Sequence, residues 1–179
     1  MVIDAGGFEG DWAAAMLERF GCRVELFEPI PSFAEVCRTR FARNERVRVH
    51  EAALGGSERT ARLAIDSVAS SEFTGRGPSS VEARVVDIAG VTDRLLAAHR
   101  DVACLKLNIE GGEYEVLERL VQHGTIRRCR AMLVQFHAQP AGWQLRMEKI
   151  HASLDESHRA AWRFPLVWEL WLRQGNQPS

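Results

Sequence analysis

Hydrophobic residues in the first part of the chain alternate between short apolar runs and stretches with helical spacing. Apolar runs at 2–4, 24–27 and 47–49 predict short strands. Apolar side chains recur every three or four residues in 11–20 and in 33–41, which predicts a helix with one buried face after each of the first two strands. Strands that alternate with helices are typical of α/β proteins.

Two local signals predict where these helices begin and end. Gly21 follows the last apolar residue of the first helix and is a natural stop. Ser32 and Glu35 precede the apolar face of the second helix at the spacing of a capping box.

The alternation resumes after an interruption. Residues 55–87 are rich in Gly, Ser and charge and hold only short β-like segments at 62–66 and 81–86. We therefore predict an inserted hairpin or loop within a single domain that spans 1–179. The other predicted elements are helices over 88–98, 113–123 and 143–158 and strands over 103–109, 131–136, 161–164 and 167–173.

The composition agrees with one globular domain. The chain has 179 residues, of which 46% are hydrophobic and 26% charged. Lys and Arg number 23 against 24 Asp and Glu, so no overall basic field is available for nucleic acid or an anionic membrane. No apolar run approaches the roughly 20 residues of a membrane span.

The cysteines and the first residues bear on the compartment. The four cysteines are widely separated and lack the spacing of a zinc site, so we expect reduced thiols and no metal. Residues 1–4 have neither the basic nor the apolar segment of a signal peptide. We predict a cytoplasmic protein.

The end of the first strand carries a pattern that favours a particular ligand. Asp4, Gly6 and Gly10 form D-x-G-x-x-x-G, at the strand end where ligands of parallel sheets bind. A nicotinamide fingerprint would place a glycine at position 5, which is Ala5. The pattern suits S-adenosylmethionine instead, because this ligand has no pyrophosphate and a carboxylate favours its cationic end.

Residues after the second and third strands extend this hypothesis. Glu28 ends the second strand, where an acid can accept hydrogen bonds from the ribose hydroxyls of an adenosyl ligand. Small side chains follow the third strand, and Ala53 among them leaves room for an adenine ring.

Polar residues also mark the fourth and fifth strands. Lys106 and Asn108 alternate with apolar residues in a strand that we expect to be buried on both faces, where each needs a partner. Glu110 and His137 follow neighbouring strands, so both reach one sheet edge as candidate proton acceptors. Glu113 is expected to begin the next helix, where its charge complements the helix dipole.

These segments together resemble the FkbM-type S-adenosylmethionine-dependent methyltransferases. The resemblance extends in order over nearly the whole chain. It is carried by residues 2–12, 27–31, 106–113, 135–137 and 164–169.

The resemblance implies a Rossmann-like methyltransferase: an α/β fold with a mostly parallel seven-stranded sheet of order 3-2-1-4-5-7-6, an antiparallel seventh strand and helices on both faces. It also implies S-adenosyl-L-methionine as cofactor and a hydroxyl acceptor on a sugar, glycan or small metabolite. The cofactor-binding residues that we predict are Asp4, Gly6, Gly7, Gly10, Trp12, Glu28, Pro29, Ala53 and Asn108. The candidate catalytic residues are His137, Glu110 and Asn108.

The chain departs from the family pattern in two ways. Asn108 stands where the family commonly has Asp, and Gln135 stands where it often has Glu. These differences leave Glu110 and His137 as the better acid–base candidates. The chain also begins directly on the first strand, whereas related methyltransferases usually have helices before it that cover the cofactor. That cover is missing, comes from another chain such as the second copy in a homodimer, or was lost through a misplaced start.

We therefore expect an in-line methyl transfer in which His137 or Glu110 takes the acceptor's proton. One alternative is a nicotinamide-dependent oxidoreductase, against which Asp4 and Ala5 count. A second is a methyltransferase-like binding subunit with little activity, which Asn108 and the abrupt start favour. A third is a nucleic-acid methyltransferase, which the net charge of -1 disfavours. The expected partner is a small-molecule or glycan acceptor, without nucleic acid or membrane.

Overall fold

The computed structural model describes residues 1–66, 69–71 and 80–175. The strands are β1 (Val2–Ala5), β2 (Val24–Phe27), β3 (Val47–His50), β4 (Ala53–Gly55), β5 (Arg59–Asp66), β6 (Ala69–Ser71), β7 (Ser80–Asp87), β8 (Cys104–Leu107), β9 (Ala131–Val134), β10 (His158–Phe164) and β11 (Trp168–Arg173). The helices are α1 (Asp11–Phe20), α2 (Pro31–Arg40), α3 (Ile88–Ala98), α4 (Glu113–His123) and α5 (Trp143–Asp155), with a 3-10 turn at Thr125–Arg128.

A central sheet of seven strands has the order β3-β2-β1-β8-β9-β11-β10. Counted among themselves, these strands follow the order 3-2-1-4-5-7-6 that the resemblance implies. Strand β11 is antiparallel to β9 and β10, whereas the other neighbouring strands are parallel. The predicted α/β class with a mostly parallel sheet is therefore confirmed. The structure differs from the predicted fold in one detail, because four further strands form a second sheet.

Helices cover both faces of the central sheet, because successive side chains of a strand point to opposite faces. Val2 and Leu26 pack on one face with side chains of α1 and α2, including Ala13 and Cys37. The other face carries the larger core, with side chains from α3, α4 and α5. Its fully buried members include Ile3, Leu105, Leu107, Leu117 and Leu154.

The second sheet occupies the region predicted as an inserted hairpin or loop, and its order is β4-β7-β5-β6. The predicted β-like segments lie in β5 and β7, which pair antiparallel, and β4 adds a strand parallel to β7. Alternating apolar residues, among them Leu63 and Val85, form a small core of this sheet with Ile30. Residues 67–68 and 72–79 of the insertion lie outside the described part. The assignment of 1–179 to a single domain stays a prediction.

Several helix boundaries are confirmed, but the predicted capping box is wrong. Helices α1, α3 and α4 begin and end where the pattern predicts, and Gly21 caps α1 in a left-handed conformation. Helix α2 begins at Pro31 after Ile30, without a side-chain cap. Proline at the first helical position already has a helical φ, so the helix starts before Ser32. Glu35 pairs with Arg38 at 2.9 Å instead.

Strands β8 and β9 end two residues earlier than predicted, at Leu107 and Val134. The chain after β8 leaves the sheet through Glu110 and Gly111, whose φ angles are +51° and +99°. The backbone N–H groups of Asn108 and Gln135 still donate to Ala5 and Leu107 of the neighbouring strands, so the polar residues that follow each strand lie at the carboxyl edge of the sheet.

A buried ion pair connects the first and fourth strands of the central sheet. Asp4 and Lys106 are direct neighbours in the register of β1 and β8, and Nζ of Lys106 lies 2.9 Å from Oδ1 of Asp4. The lysine also donates to the carbonyl oxygens of Gly6 at 2.6 Å and Ala5 at 3.3 Å. Asp4 is 0% and Lys106 5% exposed. The ion pair therefore provides the partner that a lysine in a buried strand needs.

We expect Lys106→Met to lower the free energy of unfolding by about 3–5 kcal/mol, because it leaves a buried carboxylate without its counter-charge. The measurement is urea denaturation at neutral pH. The control is the double variant Asp4→Leu with Lys106→Met, which removes both charges and should recover part of the loss. Equal losses in the single and double variants would show that the charge of Asp4 is not the cause.

Candidate cofactor and active site

A cavity of about 200 Å³ opens at the carboxyl edge of the central sheet, between the ends of β1, β2 and β8 and the second sheet. The predicted site residues that line it are Gly6, Glu28, Pro29, Ala53, Asn108 and Glu110. Sequence reasoning missed the walls that come from α2, α4 and the second sheet, since strand-end patterns do not indicate which surfaces pack beside them. These missed residues include Phe8, Phe33, Arg59, Leu63, Val85 and Glu115.

The turn after β1 forms the floor of the cavity and requires glycine. Gly6 has a φ of +77°, and a Cβ on it would lie 2.0 Å from the carbonyl oxygen of Asn108. A Cβ on Gly7 would lie 2.4 Å from a methyl group of Leu26. Both glycine N–H groups donate to the carbonyl of Phe27, at 3.0 and 3.1 Å. The turn is therefore fixed against its neighbouring strands.

Glu28 is held at the cavity wall by backbone groups. Its Oε2 accepts a hydrogen bond from the N–H of Phe8 at 2.8 Å, and its Oε1 accepts one from Ile30 at 2.9 Å. Burial raises the pKa of Glu28, and these two hydrogen bonds oppose the rise. A carboxylate has about four acceptor positions, so capacity remains for ligand hydroxyl groups.

Four of the predicted cofactor residues lie outside the cavity lining. Asp4 points to the face of α1 and α2, where burial raises its pKa and the charge of Lys106 opposes the rise. Gly7 packs behind the turn. Gly10 caps α1, and Trp12 packs among the side chains around that helix. Their contact with a cofactor stays a prediction.

Asn108 provides a buried acceptor at the cavity. Its backbone N–H donates to the carbonyl of Ala5 at 3.2 Å, which aligns the end of β8 with the end of β1. Its side-chain Oδ1 is buried and has no hydrogen-bond partner within the described part of the chain. A buried polar atom without a partner is costly, so this oxygen is suited to accept a hydrogen bond from a ligand.

His137 lies beside the cavity, between two carboxylates. Its Nε2 is 3.2 Å from Oε1 of Glu110, and its Nδ1 is 3.2 Å from Oε1 of Glu113. Burial lowers the pKa of His137, but the two carboxylates outweigh burial and raise it to about 9. The structure thus brings the predicted pair Glu110 and His137 together.

Glu113 is the member of this cluster that sequence reasoning did not assign to the site. It begins α4 as predicted, but its side chain is fully buried and reaches His137. The two glycines before Glu113 were the sequence signal that could have indicated its role. Gly111 turns the chain with a φ of +99° and donates its N–H to Oε2 of Glu113 at 2.9 Å.

Apolar rings and side chains form the remaining wall. The rings of Phe8 and Phe33 are 4.4 Å apart, and Phe27 stacks on His50 at the same centroid distance. With Leu63 from the second sheet, the rings of Phe8, Phe27 and Phe33 give the cavity an apolar surface next to Glu28. Such a surface is suited to a planar ring.

No group of three or more His, Cys, Asp or Glu side chains among the described residues is placed to hold a metal ion. None of the described helices combines the length and apolar character needed to cross a bilayer.

The chain belongs to the methyltransferase FkbM domain family, whose model matches residues 4–172. The family and the fold imply the use of S-adenosylmethionine. A comparison with curated protein sequences finds no match.

Solved structures support the fold. The chain is similar to monomeric WbdD with 12% identity and a TM-score of 0.52, covering 96% of this chain and 35% of WbdD. It therefore spans about a third of that protein. It is also similar to an rRNA methylase from Streptococcus thermophilus, with 12% identity, a TM-score of 0.53, and coverage of 96% of this chain and 85% of the methylase. At these identities the likeness concerns the fold alone.

We expect Gly6→Ala to lower the free energy of unfolding by about 3–5 kcal/mol, because the new methyl group adds overpacking against Asn108 to the strain of a positive φ. Gly124→Ala is the matched control: its φ is +81°, but a Cβ there meets nothing within 4 Å. It should cost only about 1–2 kcal/mol. The measurement is urea denaturation of both variants. Similar losses in the free energy of unfolding would contradict the close approach of Gly6 to Asn108.

Proposed function

We propose that this chain is an S-adenosylmethionine-dependent O-methyltransferase that acts on a hydroxyl group of a sugar, glycan or small metabolite. The observation that carries the proposal is the meeting of Gly6, Glu28 and Asn108 around one cavity at the ends of three adjacent parallel strands. Ligands of such sheets bind at this edge. Membership of the FkbM methyltransferase family supports the cofactor.

The residues around the cavity fit this cofactor. Glu28 would hold the ribose hydroxyls with its remaining acceptor positions. The buried Oδ1 of Asn108 would accept a hydrogen bond from the amino acid end. The side chain of Leu63 and the small Ala53 leave an apolar space for the adenine ring.

The charge of the lining also suits a cationic ligand. Glu28, Glu110 and Glu115 place three carboxyl groups on the cavity wall. Arg59 also lines the cavity, but its guanidinium lies 3.0 Å from Glu115 and offsets that charge. Glu110 is likewise paired with His137 at 3.2 Å, so Glu28 would contribute most to favouring the sulfonium and ammonium groups of the cofactor.

When bound, S-adenosylmethionine would supply an activated methyl group on a sulfonium sulfur. The acceptor hydroxyl must lose its proton as its oxygen is methylated, and a positioned base contributes on the order of 10²–10⁴-fold to such a step. We assign this role to Glu110, which lines the cavity. We do not assign it to His137, because both of its ring nitrogens face carboxylates and its pKa is raised to about 9.

The cofactor assignment is tested by thermal unfolding with S-adenosylmethionine, with S-adenosylhomocysteine and with NAD. Either adenosyl ligand at about 100 times its Kd should add roughly 2.7 kcal/mol to the free energy of unfolding and raise the Tm. Glu28→Gln should reduce this shift, because the amide can accept fewer hydrogen bonds than the carboxylate. Glu35→Gln, on the exposed side of α2, should not.

Other results of this measurement would change the assignment. A shift with NAD alone would favour an oxidoreductase. No shift with any of the three ligands would favour a methyltransferase-like binding subunit.

The acceptor class is tested with S-adenosylmethionine that carries a labelled methyl group. We expect label to appear on hydroxylated acceptors such as monosaccharides and nucleotide sugars, as a base-stable ether, and to be lost in Glu110→Gln. Total RNA serves as the competing acceptor. Label on RNA in place of the sugars would overturn the proposed acceptor class while leaving the cofactor assignment intact.

A further inference from the structure

Glu110, His137 and Glu113 form a linear cluster that leads from the cavity wall into the core. The side chains of these residues are 22%, 15% and 0% exposed, in that order. The imidazole stands between the two carboxylates, with each ring nitrogen 3.2 Å from a carboxylate oxygen. A carboxylate at the cavity is thus connected through one ring to a fully buried carboxylate.

These two contacts determine the protonation of the ring. A neutral imidazole has only one N–H donor, whereas both nitrogens of His137 face an acceptor. Both contacts are satisfied as hydrogen bonds only when the ring is a doubly protonated imidazolium. The raised pKa of His137, about 9, agrees with this geometry.

The buried end of the cluster is fixed by backbone donors. Oε2 of Glu113 accepts the N–H of Gly111 at 2.9 Å, and Oε1 accepts the N–H of His137 at 2.7 Å. Glu113 is also the first residue of α4, where the helix dipole favours a negative charge. These contacts therefore hold the Glu113 carboxylate in place away from solvent.

Two neighbouring side chains hold the backbone of the cluster. The hydroxyl of Tyr114 donates to the carbonyl of His137 at 2.6 Å, and burial raises the pKa of this tyrosine. Nε2 of Gln139 donates to the carbonyl of Glu110 at 3.0 Å. The imidazole and the Glu110 carboxylate are thereby placed at a defined separation.

We propose that His137 is a positioning residue, protonated at neutral pH, that holds the carboxylate of Glu110 at the cavity, and that Glu113 is the counter-charge that keeps His137 in this state. The role of Glu110 as proton acceptor rests on the proposed function. The charge state of the cluster does not, since it is a property of the free protein.

The test is an NMR titration of protein labelled with ¹⁵N in its histidine rings, with His137 assigned by the signals missing in His137→Gln. We expect both ring nitrogens of His137 to carry protons at pH 7 and the ring to titrate near 9. Glu113→Gln keeps an acceptor oxygen and removes the charge, so the midpoint should fall by about 1 pH unit or more. Glu110→Gln should also lower it. Glu148→Gln, an exposed carboxylate of α5, should leave it unchanged.

A wild-type midpoint at or below 6.5, or one neutral tautomer at pH 7, would overturn the proposal. So would a midpoint that neither glutamine variant lowers. If Glu113→Gln does not fold, the wild-type midpoint and Glu110→Gln still decide. Failure of the adenosyl ligands to bind would count against the proposed function. The titration of His137 would still test the charge state of the cluster, because it is measured on the free protein.

Discussion

The buried ion pair between Asp4 and Lys106 determines the shape of the candidate site. A lysine in a dry strand must be fully paired, and Nζ of Lys106 meets this requirement with one carboxylate and two carbonyl groups. One of these carbonyls belongs to Gly6, so Lys106, which pairs with Asp4 of β1, also binds the turn that follows β1. The close approach of Asn108 to Gly6 then fixes the end of β8 against the same turn. Together with the hydrogen bonds from Gly6 and Gly7 to Phe27, the ion pair therefore holds the floor of the cavity in place.

The buried carboxylates around the site are each stabilised in a different way. Asp4 has a lysine, Glu28 has two backbone N–H donors, and Glu113 combines backbone donors with an imidazole. Because these partners come from within the fold, the charges do not depend on a ligand for their stability. Two buried acceptors have no hydrogen-bond or ion-pair partner among the described residues: Oδ1 of Asn108 at the cavity and Oδ2 of Asp4, whose Oδ1 faces Lys106. The cavity therefore presents a largely pre-formed wall at which Asn108 and Glu28 can still accept hydrogen bonds, an arrangement typical of sites that bind without large rearrangement.

The sequence predicts those features that depend on local periodicity and strand ends. The bounds of α1, α3 and α4 were predicted to the residue, whereas α5 ends at Asp155 and not at 158. The strand-end rule indicated Glu28, Asn108 and Glu110, which line the cavity, and His137 beside them. The sequence indicated the two longer strands of the second sheet as β-like segments but not β4 or β6, because strand pairing there depends on tertiary contacts and charged residues interrupt the apolar positions. It assigned Asp4 to the cofactor, and that contact stays a prediction, since alternation along β1 directs this side chain to the opposite face from Ile3. Glu113 was not assigned to the site because its charge at the start of a helix was already explained by the helix dipole.

The two kinds of wall around the cavity have different structural origins, and this bears on specificity. The polar floor comes from strand ends that the ion pair and the central sheet hold in register. The wall with Leu63 and Val85 comes from the second sheet, whose strands pair among themselves and pack with Ile30. Changes in that sheet can therefore alter the shape of the cavity without disturbing Lys106 or the turn at Gly6. The floor and the second-sheet wall can therefore change separately, and the fold alone does not determine which ligand the cavity admits.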